Sequence, residues 1–154
     1  MRDNTFLEWS TTNEIGILDY DIEQYKWNHW VSVGQVRGKG RETMNKYSFK
    51  VPLHSGINKF RVTQTDNSGK KRISEEVIQE SKIEEFSMTP TSVRDDIFFY
   101  SGGKKEKTRY EVYDAFGNLL KVGFADHVDC RNIVNGIYYI NYDNKNEKFL
   151  KASE

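Results

Sequence analysis

Apolar and polar residues alternate through the first half of the chain, with turn signals at roughly 8–12-residue spacing, the pattern of short strands in a β-sandwich. Thr5, Leu7 and Trp9 share one face of a first strand, followed by the polar turn Thr11-Thr12-Asn13-Glu14. Leu18, Tyr20 and Ile22 alternate with Asp19, Asp21 and Glu23, and residues 30–36 read as a further strand closed by Gly38-Lys39-Gly40, taken as a hairpin turn. Tyr47, Phe49 and Val51 face one way in the next strand, which Pro52 stops. Phe60 and Val62 continue to Asp66-Asn67-Ser68-Gly69, a hairpin turn in which Gly69 supplies φ > 0, and residues 71–79 return. The last third carries Tyr110-Glu111-Val112-Tyr113, the turn Asp114-Ala115-Phe116-Gly117-Asn118, and Leu119-Leu120-Lys121-Val122. A tight turn at Asn135-Gly136 then opens into Ile137-Tyr138-Tyr139-Ile140, and a short basic strand, Lys148-Phe149-Leu150-Lys151, ends the pattern. No heptad or amphipathic helix interrupts it. The expected fold is all-β, as two consecutive small β-sandwich units, residues 1–80 and 86–154, joined by a charged connector at 81–85.

Composition sharpens this reading. At 36% hydrophobic and a mean hydropathy of −0.78 the chain has little core material, and its 14% aromatics compensate because each buried ring removes a large area from water. Lys+Arg and Asp+Glu both total 23, so the basic footprint of a nucleic-acid binder is missing. The single cysteine, Cys130, excludes an internal disulfide and a cysteine-rich zinc site. No apolar run reaches the ~20 residues of a transmembrane helix.

Candidate chemistry is sparse. His29, His54 and His127 lack a second histidine or a cysteine at metal-ligand spacing, and read as surface or half-buried residues. Cys130 lies near His127 and Asp129, but a nucleophile needs a base within reach and a lowered pKa, so it reads as a small buried residue. Asp19, Asp21 and Glu23, the pair Asp95-Asp96, and residues 143–147 carry oxygen ligands without EF-hand spacing. Ser101-Gly102-Gly103-Lys104-Lys105 reads as a hairpin turn rather than an anion cradle. No catalytic residue, metal or cofactor is expected, and the chain reads as a non-enzyme. Tyr25, Trp27 and Trp30 could stack on sugar rings on a sandwich edge; the competing reading packs Trp30 in the core and leaves Trp27 as a loop aromatic.

The motifs of the last third, together with Pro90-Thr91-Ser92-Val93 ahead of them, resemble the type A C-terminal sorting domain of bacterial type IX secretion cargo. The resemblance spans residues 86–151. It departs at the start, where only Pro90 remains of a Pro-Asn-Pro motif, and at Val134, where proline is usual. It implies that an outer-membrane translocon or shuttle protein recognises Asp114, Gly117, Gly136, Tyr138, Lys148 and Lys151. It also implies a secreted or cell-surface protein that passes through the periplasm. Such cargo first crosses the inner membrane, and Met1-Arg2-Asp3-Asn4-Thr5 holds no signal-peptide apolar region, so the expectation is a fragment of a longer secreted protein.

The first half is similar to the fibronectin type III-like modules that precede such domains. The carrying residues are Leu7-Glu8-Trp9-Ser10, Asp21-Ile22-Glu23, Gly56-Ile57-Asn58-Lys59-Phe60-Arg61-Val62, Asp66 and Gly69-Lys70. Phe60 stands where a hydroxyl-bearing ring would make a tyrosine corner, and no strand precedes the one holding Trp9. The edge of that strand is therefore expected to recruit a cover, from the connector, from the C-terminal unit or from a second copy. The resemblance implies a spacer or adhesive role for this module. The alternatives are a glycan-binding module of a polysaccharide-degrading enzyme, binding cell-surface glycan, and a stand-alone partner subunit of a surface complex.

Overall fold

The computed structural model describes residues 4–12, 14 and 16–153, and every regular element in them is a strand. Met1-Arg2-Asp3 and, within the expected polar turn, Asn13 lie outside the described residues. The chain divides into two units, Met1–Lys82 and Ile83–Glu154.

The first unit holds β1 (Asn4–Thr11), β2 (Asp19–Lys26), β3 (His29–Arg37), β4 (Asn45–Pro52), β5 (Ile57–Thr65), β6 (Lys71–Ile73) and β7 (Val77–Glu80). One sheet is β1 paired with β4; the other runs β3-β2-β5-β6, with β7 also on β5. Alternation sends Leu7, Tyr20, Ile22, Tyr47, Val51, Phe60 and Val62 into the core, while Phe6, Glu8 and Lys50 face out. Trp9 stacks on Tyr47 at 5.2 Å and meets Tyr20 edge-on at 5.7 Å, which holds β1 over β2. Gly34 of β3 gives room to the ring of Phe49 from β4, since a Cβ there would lie 2.2 Å from Phe49 Cζ. So β4 lies over β3.

Three expectations for this unit need correction. Gly38-Lys39-Gly40 does not turn a hairpin, because β3 and β4 belong to different sheets. The segment crosses between them, anchored by the Gly38 N–H on the Leu18 carbonyl and the Lys39 N–H on the Tyr47 hydroxyl. The return strand at 71–79 is broken after Ile73, where the Ser74 hydroxyl accepts the Val62 N–H that an unbroken ladder would use. The tryptophans exchange places. Trp27, in the two-residue turn between β2 and β3 with φ 56°, is buried, while Trp30 points to the outer face and is half-buried. Trp30 pairs across strands with Tyr25, so the two share the outward side of the pleat.

The second unit holds β8 (Phe86–Thr89), β9 (Ser92–Val93), β10 (Asp96–Ser101), β11 (Lys104–Lys105), β12 (Thr108–Asp114), β13 (Leu119–Ala125), β14 (His127–Asp129), β15 (Gly136–Tyr142) and β16 (Lys145–Lys151). One sheet is β11-β10-β14 with β8 on β10, and the other is β13-β12-β15-β16-β9. Ser101–Lys105 does form a hairpin, with Gly102 and Gly103 at φ 61° and 76°. Between the sheets Phe86, Met88, Ile97, Phe99, Val112, Val128, Cys130, Tyr138, Ile140, Tyr142 and Phe149 make a continuous core. Phe99 stacks on Tyr142 at 5.1 Å, and Tyr138 on Phe149 at 5.5 Å.

Candidate functional site

The motif residues of the second unit come from three separate segments and meet on one sheet. Asp114 is the cross-strand partner of Tyr138, Gly136 of Lys151, and Lys148 of Tyr139. Most of them are held by the fold itself. The Asp114 carboxylate accepts the N–H groups of Phe116 and Asn118 at 2.9 Å each, together with the Asn118 side-chain amide. Gly117 adopts φ 87° in the same turn and donates its N–H to the Asp114 carbonyl. Tyr138 is buried, and its hydroxyl donates to the Val134 carbonyl at 2.6 Å. This is the corner bond that Phe60 denies the first unit. Lys151 is buried, with Nζ donating to the Arg94 carbonyl at 2.8 Å.

Lys148 differs from the other five. Its side chain is exposed on the outer face of the five-stranded sheet, between Asn146 and Leu150 of the same β16 face. That face is mixed, since Glu111 accepts the Tyr113 hydroxyl and the Asn141 side-chain amide, and Asn146 donates to Asn141, so a polar row crosses it between apolar residues. Ile137 pairs with Leu150, Tyr139 with Tyr113, and Tyr113 with Leu119, while Val122 and Phe124 extend the surface along β13. Ile137, Leu150, Tyr139, Leu119, Val122 and Phe124 are all exposed. The sequence holds part of the signal for this face, since β15 carries apolar residues on both faces, Ile137 and Tyr139 outward, Tyr138 and Ile140 inward.

Tyr25, Trp27 and Trp30 do not share one exposed surface. Trp27 is buried, with Lys26 Nζ 4.3 Å from its ring centroid. Tyr25 and Trp30 meet edge-on at 5.2 Å, and the Arg61 guanidinium lies 4.2 Å over the Trp30 ring. That guanidinium is also anchored on Glu23 at 2.7 Å, so it caps the ring face from a fixed position.

The titratable residues singled out by sequence stay apart. His29 Nδ1 lies 3.0 Å from the Trp27 carbonyl and His54 Nδ1 2.7 Å from the Ser55 carbonyl, while His127 sits on Asp126. Burial pushes the Cys130 thiol up to about 11, and the Asp129 carboxylate is taken by Arg131. That environment disfavours the thiolate a nucleophile needs. Among the described residues no group of three or more His, Cys, Asp or Glu converges on a metal position, and no helix is long and apolar enough to cross a membrane.

Sequence reasoning overlooked Glu14, whose carboxylate ties the two sheets of the first unit together. It accepts the hydroxyls of Thr11, Tyr20 (3.1 Å) and Tyr47 (2.6 Å), and the Gly40 N–H at 3.0 Å. Burial and this donation to Glu14 push the Tyr47 phenol up to about 12. An isolated Glu in a polar turn gave no sign that hydroxyls from other strands converge on it.

No family model matches the sequence, and no curated protein matches it. Among solved structures 12 chains match. One of them is the crystal structure of a tetra-tandem repeat in the extending region of a large adhesion protein, similar at 12% identity and a TM-score of 0.35. The match covers 100% of this chain and 50% of that one, so the chain spans about half the length of the structure it matches.

Proposed function

We propose that this chain is a non-enzymatic region of a secreted or cell-surface bacterial protein, and that its second unit is a type IX sorting domain. A translocon or shuttle protein of the outer membrane reads the outer face of the five-stranded sheet. The first unit serves as a spacer or adhesive module. The observation that carries this reading is the setting of Lys148. Of the six motif residues it alone combines an exposed charged side chain with exposed apolar neighbours, Tyr139 across the ladder and Leu150 along the strand. Charge at the rim of an apolar contact gives a receptor both register and desolvated area. Asp114, Gly117, Gly136, Tyr138 and Lys151 then act by holding the sheet that presents this face.

The test is a reporter fused ahead of the whole chain, directed to the periplasm of a bacterium that has the secretion system. The expected outcome is reporter in the medium or on the cell surface. Reporter retained in the periplasm of a strain that exports its own cargo contradicts the proposal.

A further inference from the structure

The two sheets of the first unit differ in width. With β4 over β3 and β1 over β2, the layer of β1 and β4 ends there among the described residues, and no described strand of that layer lies over β5 and β6. Among the described residues β1 pairs only with β4, so alternate residues along its other edge present N–H and C=O groups without a ladder partner. The connector does not supply one, because β7 is paired with β5 and the Ser81 N–H with the Gly56 carbonyl.

A cleft of about 390 Å³ opens along this edge, within the ~300–1,000 Å³ of small-molecule sites. Trp9, Ser10 and Thr11 of β1 form one wall, Arg72 and Ile73 of β6 the other, and Val62 lies between them. No residue of β4 lines it, so the cleft belongs to the free edge. The indole Nε1 of Trp9 is buried without a hydrogen-bond partner, which leaves a donor unsatisfied. Arg72 has no partner at ion-pair distance among the described residues; the Asp66 carboxylate, held by the Ser68 and Lys70 N–H groups, lines the same cleft and lies near enough to feel its charge.

We infer that this edge and cleft are a docking site for one extended strand supplied by a partner polypeptide, with aliphatic side chains at alternate positions and a carboxylate at the end over Arg72. Pairing with β1 satisfies the free backbone groups, and the inward side chains fill the cleft beside Val62 and Ile73. A backbone carbonyl or hydroxyl of the strand accepts the Trp9 N–H, and its carboxylate complements Arg72. Strand addition of this kind draws affinity from main-chain hydrogen bonds and selectivity from alternate side chains.

The probe is the synthetic peptide acetyl-Thr-Val-Thr-Val-Thr-Val-Glu-amide, added to the full chain at up to ~1 mM. The same heptapeptide is also joined ahead of the chain by a flexible linker, which raises its effective concentration to the mM range. Amide exchange and the Trp9 indole resonance are followed by NMR, and the molecular mass by sedimentation. In the free chain one alternate set of β1 amides exchanges fast and the other slowly. The peptide, free or tethered, should slow the fast set about tenfold, which corresponds to ~1.4 kcal/mol of added protection, and should shift the Trp9 indole signal. A control with aspartates in place of the valines should do neither. No protection from either form of the peptide overturns the inference. So does a chain that dimerises without peptide and protects the fast set by itself.

Discussion

Asp114 and Asp66 show how one short motif builds the same object twice. In each, the carboxylate accepts the N–H groups two and four residues on, the backbone N–H donates to the carbonyl four residues on, and a glycine at φ 87° or 88° closes the turn. The Asp114 carboxyl is held below its usual range, first by the Asn118 side-chain amide and then by the backbone N–H of Asn118. A carboxyl depressed in the folded state contributes stability above its unfolded value of ~3.9 and loses it as pH falls through the folded value. Asp114→Ala should therefore lower the Tm of the second unit at pH 7 and leave it nearly unchanged at ~pH 2, as measured by calorimetry. An equal loss at both pH values would show that the carboxylate is not the active group. Tyr138→Phe should cost about 0.5–1.5 kcal/mol in urea unfolding, the loss of one hydrogen bond to Val134, with the Phe149 stack kept. Both turns were legible in the sequence because Asp and Gly at this spacing act locally. The corner bond of Tyr138 was not, since nothing in the order of residues says which Tyr hydroxyl folds back.

At the scale of elements, alternation located β1, β2, β4 and β5, where one pleat face is apolar and the other charged. It misled where local chemistry overrides the pattern. Gly38-Lys39-Gly40 carries hairpin residues but performs a crossover, which only the partition of β3 and β4 into separate sheets decides. Trp27 and Trp30 are equally apolar, and which one is buried depends on the bulge between Ile22 and Glu23 and on the left-handed turn at Trp27 and Asn28. Gly34 tests the packing of the two sheets. Gly34→Ala places a methyl against the Phe49 ring, and displacing that ring should cost ~1–3 kcal/mol as overpacking. Restoring stability with Phe49→Leu in the double variant would locate the effect at that contact, and additive losses would refute it.

For the whole molecule the division into two all-β units was readable from the charged stretch after Gln79, and the boundary falls between Lys82 and Ile83. The candidate site was readable only in part. The motif residues are on the page as letters, but their separation into fold-holding residues and a presented Lys148 needs the register of β15 against β16. That separation makes Lys148 the residue on which recognition by a receptor turns under the proposed function. The most direct measurement is export of the reporter fused to the whole chain carrying Lys148→Glu, beside the unsubstituted chain. Export should fall roughly tenfold, the loss of ~1.4 kcal/mol of receptor contact. The unfolding free energy should stay within about 0.5 kcal/mol, as for other exposed surface substitutions. Export at the unsubstituted level would contradict the account.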